Sequence, residues 1–130
     1  MEILKEAHAT FEFDVESILR KDSLDLTDED RRLIRRKIES EACERILVTH
    51  GTDTMIQTAK ALEGVSGKTI VLTGSMQPAR FKSTDAAFNV GVAIGAVQVL
   101  PPGVYIAMNG QIFDPAKARK SVADSRFERI

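Results

Sequence analysis

Three short apolar runs govern what this chain can fold into. They are Ile46-Leu47-Val48, Thr69-Ile70-Val71-Leu72-Thr73 and Val104-Tyr105-Ile106-Ala107-Met108. They are rich in β-branched residues and too short to be helices. None alternates with polar residues, so each reads as a strand covered on both faces. Segments of helical length separate them. Strands that alternate with helices form βαβ units with a parallel sheet and right-handed crossovers.

The helical segments carry their own signals. Thr27 stands before Asp28-Glu29-Asp30. This predicts a helix over 28–41 with Thr27 as N-cap, Asp30 three positions on, and acidic residues at the positive helix end. Leu33, Ile34 and Ile38 supply its apolar stripe. A second helix is predicted over 54–63, ended by Gly64. A third, over 85–99, is rich in Ala, Gly and Val and is broken by Pro101-Pro102-Gly103. Residues 10–18 alternate apolar and polar, which predicts a strand with one solvated face. The expected architecture is α/β: a doubly wound parallel sheet in a three-layer, Rossmann- or flavodoxin-like sandwich. Residues 1–130 are expected to form one domain.

Composition removes several function classes. A net charge of −1 gives no electrostatic case for nucleic acid or an anionic membrane surface as partner. Trp is absent and aromatic residues make up 5%, so a base-stacking platform is not expected. No apolar run approaches the roughly 18 residues of a membrane span. The start, Glu2-Ile3-Leu4-Lys5-Glu6-Ala7, lacks the apolar core of a signal peptide. Cys43 is the only cysteine, so no internal disulfide is available, and a cytoplasmic setting is the expectation. One Cys and two His are too few for a structural zinc site, and no metal is expected.

The informative residues stand where the apolar runs end. Thr49-His50-Gly51-Thr52-Asp53-Thr54 follows the first, Gly74-Ser75-Met76-Gln77-Pro78 the second, and Asn109-Gly110 the third. Lys21-Asp22-Ser23-Leu24-Asp25 follows the predicted strand 10–18. A parallel sheet brings all four groups to one edge, where α/β proteins hold their ligands. Hydroxyls, a carboxylate and helix-start N–H groups suit a small polar or zwitterionic ligand. The glycine patterns of dinucleotide sites, P-loops and nucleophile elbows are absent. Each residue also has a plain structural use. Thr52 or Asp53 can cap the next helix, Ser23 can be a turn hydroxyl, and His50 can be a satisfied structural imidazole. Met55 and Met76 can be packing residues, and Lys117, Arg119 and Lys120 a solvated surface.

The segments "THGTDTM", "VLTGSMQPARFKSTDAAFN" and "VYIAMNGQIFD" resemble the bacterial asparaginase/glutaminase family with a threonine nucleophile, in its small single-domain branch. The resemblance runs from about Asp14 to Phe127, with Thr84-Asp85 and Phe88-Asn89 inside it. It implies an asparaginase N-terminal-type domain that hydrolyses the side-chain amide of Asn, or of Gln, to the acid and ammonia without a cofactor. It also implies a homo-oligomer, with a dimer as first expectation. Carried over by motif, Thr52 is the second catalytic threonine, which positions or helps activate the attacking water. Asp53 binds the substrate ammonium and pairs with a lysine. Ser23 binds the substrate carboxylate, and Gly51, Ser75 and Met76 also line the substrate site. Counting from Asn109 without a gap puts the lysine at Lys120, with Lys117 as the competitor. A lysine acting as a base must lie within hydrogen-bond reach of Thr52 or its water. An adjacent carboxylate favours the charged ammonium, so burial has to offset that pairing.

The family's first nucleophile is a Thr in a "TGGTI"-type motif after the first strand, and the sequence holds no such motif. The expectation is therefore a fold without its first strand. That strand is central in a flavodoxin-like order, and its loss would leave backbone groups unpaired. Three arrangements remain open: strand 10–18 pairs differently, another chain fills the gap, or the true start lies upstream. Hydrolysis by this chain alone is expected to be impaired. The alternatives are a non-catalytic amino-acid-binding module and a domain stable only in an oligomer.

Overall fold

The structure, a computed structural model, describes residues 2–77 and 85–130. Pro78 and Thr84 of the motifs above lie outside them. Among the described residues a four-stranded sheet has the order β1-β2-β3-β4, with β1 at Arg45–Thr49, β2 at Thr69–Thr73, β3 at Gly103–Met108 and β4 at Gln111–Phe113. The first three strands are parallel, with Leu47 opposite Val71 and Val71 opposite Tyr105. β4 returns antiparallel through the Asn109-Gly110 turn, so the sheet is mostly rather than wholly parallel.

The helices are α1 (Glu2–Glu6), α2 (Asp28–Ser40), α3 (Met55–Ala61) and α4 (Ala86–Val99). Alternation along each strand sorts the core into two layers. Ile46, Val48, Ile70, Leu72 and Ile106 pack with Ile34 and Ile38 of α2 and Met55 and Ala59 of α3. Leu47, Val71 and Ala107 pack with Ala93 and Ala96 of α4. Small residues on α4 let it sit close to the sheet. The predicted cap of α2 forms as a full capping box. Thr27 Oγ1 accepts the Asp30 N–H at 3.1 Å, and the Asp30 carboxylate accepts the Thr27 N–H at 3.0 Å. No helix of the described residues is long and apolar enough to cross a membrane.

One predicted element is not there. Residues 10–18 form no strand, and Phe11, Phe13 and Val15 are exposed. At the end of this segment Glu16 pairs with Lys37 of α2 at 2.7 Å, and Ile18 and Leu19 pack against the core. Alternation marks which side chains share a face. A strand also needs a neighbour for its N–H and C=O groups, and none of the described strands pairs with this segment. The outer edge of β1 is likewise unpaired in the described sheet. The burial shows it: β2 is buried at all five positions, whereas Ile46, Leu47 and Val48 of β1 are only half-buried.

The charged C-terminal stretch forms a second sheet, a hairpin of β5 (Ala118–Ser121) and β6 (Arg126–Arg129) with Lys120 opposite Phe127. The Phe127 side chain is 1% exposed and meets the Phe113 ring at 6.3 Å between centroids. Arg129 also donates to the Ile112 carbonyl of β4 at 3.1 Å. These contacts dock the hairpin against the α3 side of the sheet.

Candidate active site

The carboxyl ends of β1, β2 and β3 share one edge because the three strands run parallel. The His50 N–H donates to the Thr73 carbonyl at 2.9 Å, extending the β1–β2 pairing one residue past β1. The chain then turns through Gly51-Thr52-Asp53-Thr54 into α3. Thr54 takes the N-cap position but makes no side-chain cap bond there. Its Oγ1 donates instead to the Ser23 carbonyl at 2.7 Å, which ties the 3-10 turn at Ser23–Asp25 to this edge. Gly51 is a glycine for a reason. A Cβ there would lie 2.9 Å from both Cβ and Oγ of Ser23.

Thr52 and Asp53 do not cap α3 with their side chains. Both are reached by one lysine. Lys120 Nζ donates to Thr52 Oγ1 at 2.8 Å and to Asp53 Oδ1 at 2.7 Å. Thr52 is buried, the Lys120 side chain is 18% exposed, and the Asp53 side chain is 43% exposed. Lys117 lies in the short 3-10 turn before β5 and makes neither contact. The hydroxyl, ammonium and carboxylate thus form a compact set with one partner on the protein interior and one facing solvent.

Ser23 is 2% exposed, and its Oγ is the one buried side-chain nitrogen or oxygen without a hydrogen-bond partner among the described residues. An unpaired buried hydroxyl is costly unless a ligand or water completes it. A cavity of about 420 Å³ opens along the same edge, lined by Thr49, His50, Gly51, Gly74, Ser75 and Val90 among others. Gly51 and Ser75 are the predicted site residues on its wall. Met76 is half-buried and packs against the core, as its packing reading required.

Two networks shape these turns. In the first, His50 Nδ1 meets the Gly51 carbonyl at 2.6 Å, and Nε2 meets Thr58 Oγ1 at 2.8 Å. Arg31 Nε donates to the same Thr58 oxygen at 3.2 Å. The Gly51 carbonyl only accepts, so His50 carries a proton on Nδ1, and in the neutral imidazole Nε2 accepts from Thr58 Oγ1. Burial lowers the His50 pKa. The Gly51 carbonyl opposes this and the Arg31 charge adds to it, which favours that neutral tautomer. In the second network, the Asp85 carboxylate at the start of α4 accepts from Ser75 Oγ, from the Met76 N–H at 2.8 Å and from the Gln77 N–H at 3.2 Å. Burial raises the Asp85 pKa, but these hydrogen bonds outweigh it and hold the carboxyl below its ordinary range. No group of three His, Cys, Asp or Glu side chains among the described residues is placed to hold a metal ion.

Residues 1–128 match the family described as "Asparaginase, N-terminal". The chain belongs to the asparaginase family. Among curated relatives, a glutaminase-asparaginase of Acinetobacter glutaminasificans is 33% identical over 112 residues, 82% of this chain and 33% of its own. A glutamyl-tRNA(Gln) amidotransferase component of Methanococcus vannielii is 42% identical over 83 residues, 62% of this chain and 19% of its own. A solved structure of a probable cytoplasmic L-asparaginase from Campylobacter jejuni superimposes with a TM-score of 0.87 at 28% identity, over 98% of this chain and 45% of that one. The chain therefore spans a fifth to a third of those two curated relatives.

Within this asparaginase-family domain, two groups escaped sequence reasoning. Arg31 and Thr58 stand in helical segments with no sequence signal, and both are buried in the structure. Asp85, Asn89 and Asn109 fall in motifs that carried the resemblance but had no role assigned. A buried polar residue in a mostly apolar helix, as Asn89 is in α4, was the available signal.

Proposed function

We propose that this chain is the N-terminal-type domain of an asparaginase-family amidohydrolase that converts the side-chain amide of L-asparagine to aspartate and ammonia. The observation that carries this reading is the contact of one lysine with both Thr52 and Asp53. Amide hydrolysis needs a nucleophile or water held at the carbonyl carbon and a relay for its proton. Lys120 occupies an acceptor position on Thr52 Oγ1, so the threonine proton is free to point into the site. The Cγ–N bond of the substrate breaks, a bond from the water oxygen to Cγ forms, and the departing nitrogen leaves as ammonia with one proton taken from that water. Thr52 orients the water. Lys120 gives a proton to the departing nitrogen and takes the water's proton back through Thr52, so it ends as it began.

The substrate grip is taken from the family resemblance: Asp53 for the α-ammonium, Ser23 for the α-carboxylate, Ser75 and Met76 on the amide side, with Gly51 also in the substrate site. The exposure of the Asp53 carboxylate and the unpaired Ser23 Oγ support it. Relatives described as glutaminase-asparaginases make glutamine the second substrate to test. We further propose a cytoplasmic homo-oligomer, a dimer first. The covalent route also needs a threonine from a "TGGTI"-type segment, so the chain alone is expected to turn over slowly.

A binding module is the second reading, and one observation favours it. The orphan Ser23 hydroxyl beside Gly51 can hold an amino acid with no chemistry at all. The deciding experiment pairs ammonia release from L-Asn and L-Gln with calorimetric titration of L-Asp. Ammonia release that disappears in Lys120→Met supports the hydrolase. Binding of L-Asp without release from either amide supports the module. Absence of both overturns the two readings together.

A further inference from the structure

The turn after β3 holds a side chain that the proposed chemistry does not use. Asn109 has φ +54°, a left-handed conformation that Asn and Gly adopt readily. Its backbone N–H donates to Asn89 Oδ1 at 3.3 Å, and its side-chain Oδ1 accepts the Phe127 N–H at 2.7 Å. Asn89 is 1% exposed, and its Nδ2 donates to the Gly74 carbonyl at 2.8 Å and to Asp85 Oδ2 at 3.1 Å. Phe127 stands directly opposite Lys120 in the β5–β6 ladder.

These contacts form one continuous strut. It starts at the Gly74–Gln77 turn, passes through Asp85 at the start of α4 and Asn89 within it, crosses to Asn109 in the turn after β3 and ends at the hairpin residue facing Lys120. We propose that Asn109 is a positioning residue: its side-chain oxygen fixes the hairpin at the level of Lys120, so that Nζ is held between Thr52 and Asp53. The proposal rests on the reading of Lys120 as the site lysine.

The other ties of the hairpin lie at a different level or have a different nature. Arg129 bonds to β4 but stands opposite Ala118, at the far end of β5. The Phe127 ring is held by packing, which resists separation more than sliding. Asn109 gives the backbone facing Lys120 a directional bond to the sheet that carries Thr52. A lysine has a long flexible stem, and a displacement of its base by about 1 Å can lower turnover roughly 100-fold.

The test uses the full chain and two substitutions. Asn109→Gly keeps the left-handed backbone and removes the acceptor. Asn109→Asp keeps an acceptor for the Phe127 N–H. Lys120 exposure is read without any substrate, by acetic anhydride labelling and peptide mass spectrometry. Labelling of Lys120, relative to that of Lys117, is expected to rise several-fold in Asn109→Gly and to stay near wild type in Asn109→Asp. Where the protein releases ammonia, kcat is expected to fall about tenfold or more in Asn109→Gly with little change in KM. Unchanged Lys120 labelling in Asn109→Gly overturns the proposal. If the wild type is inactive on amides, the hydrolase reading fails while the labelling still decides the positioning role. If Asn109→Gly does not fold, hydrogen exchange on the wild type decides. A Phe127 amide as protected as those of β3 is expected, and free exchange overturns the strut.

Discussion

Thr52 and Lys120 stand 68 residues apart in the chain, yet the lysine nitrogen lies 2.8 Å from the threonine oxygen. The two come from different sheets. Thr52 sits on the turn that leaves β1, and Lys120 sits on a hairpin that docks late in the sequence through Phe127 and Arg129. The relationship is therefore a product of tertiary packing, and it is what turns a polar loop into a candidate catalytic cluster.

That cluster should matter for chemistry far more than for stability. The Asp53 side chain is 43% exposed, so its ion pair with Lys120 is screened by solvent and contributes less than about 1 kcal/mol. Lys120→Met should shift the urea midpoint only slightly. Loss of a positioned acid–base group should lower ammonia release by about 10²–10⁴-fold. Thr52→Val should show the same split. Activity within a factor of about three of wild type, well below any acid–base contribution, would remove Lys120 from the reaction.

The parts legible in the sequence were those that local chemistry decides. The apolar run at 69–73 could only be a buried strand, and the Thr27 box announces α2 within four residues. Residues 10–18 show the limit. Their alternation is real, but strand formation depends on a neighbour that periodicity does not report. Thr52 and Asp53 were ambiguous because Thr and Asp before a helix are also the usual caps. In the structure, Thr54 takes the cap position, and the pair turns to a lysine that only the motif count singled out. The Asn109 strut was unreadable, because its bonds join residues 20 and 18 positions apart with no spacing rule behind them.

Gly51 and Gly74 predict two grades of steric damage. A Cβ at Gly51 meets the Ser23 side chain at 2.9 Å, and the turn around Ser23–Asp25 can yield. A Cβ at Gly74 falls on the His50 carbonyl oxygen, a backbone atom of a residue tied to β2 through its own N–H. Gly51→Ala should destabilise by about 1–3 kcal/mol and weaken L-Asp binding. Gly74→Ala should cost more. Urea unfolding of both variants, with calorimetry on Gly51→Ala, checks this, and equal stability of the two would contradict the backbone argument.

His50 predicts a stability limb just below neutral pH. Its folded pKa is lowered, chiefly by burial, from an unfolded value of about 6.5. The unfolded chain then binds the proton more readily than the folded one. The contribution is complete above about pH 6.5 and is lost as pH falls toward the folded value. His50→Asn should flatten the slope of unfolding free energy across this window. An unaltered slope would mean that His50 titrates alike in both states.

Asp85 predicts a separate limb at lower pH. Burial raises its pKa, but the donors from Ser75, Met76 and Gln77 together lower it below the ordinary carboxylate value of about 3.9. The charged carboxylate is thus favoured in the folded state. Its contribution is present above about pH 4 and is lost as pH falls through the folded value. Asp85→Asn replaces an acceptor of several N–H and O–H groups with an amide, half of which is itself a donor. The variant should be less stable than wild type by about 1–3 kcal/mol at neutral pH. The gap should close on acidification below about pH 4, because the wild-type carboxyl then loses its charge too. Urea unfolding from pH 7 to about pH 3, carried out on wild type, His50→Asn and Asp85→Asn, separates the two limbs. A pH-independent gap would show that Asp85 acts by shape alone. The Gly74–Gln77 turn would then owe its conformation to packing rather than to charge.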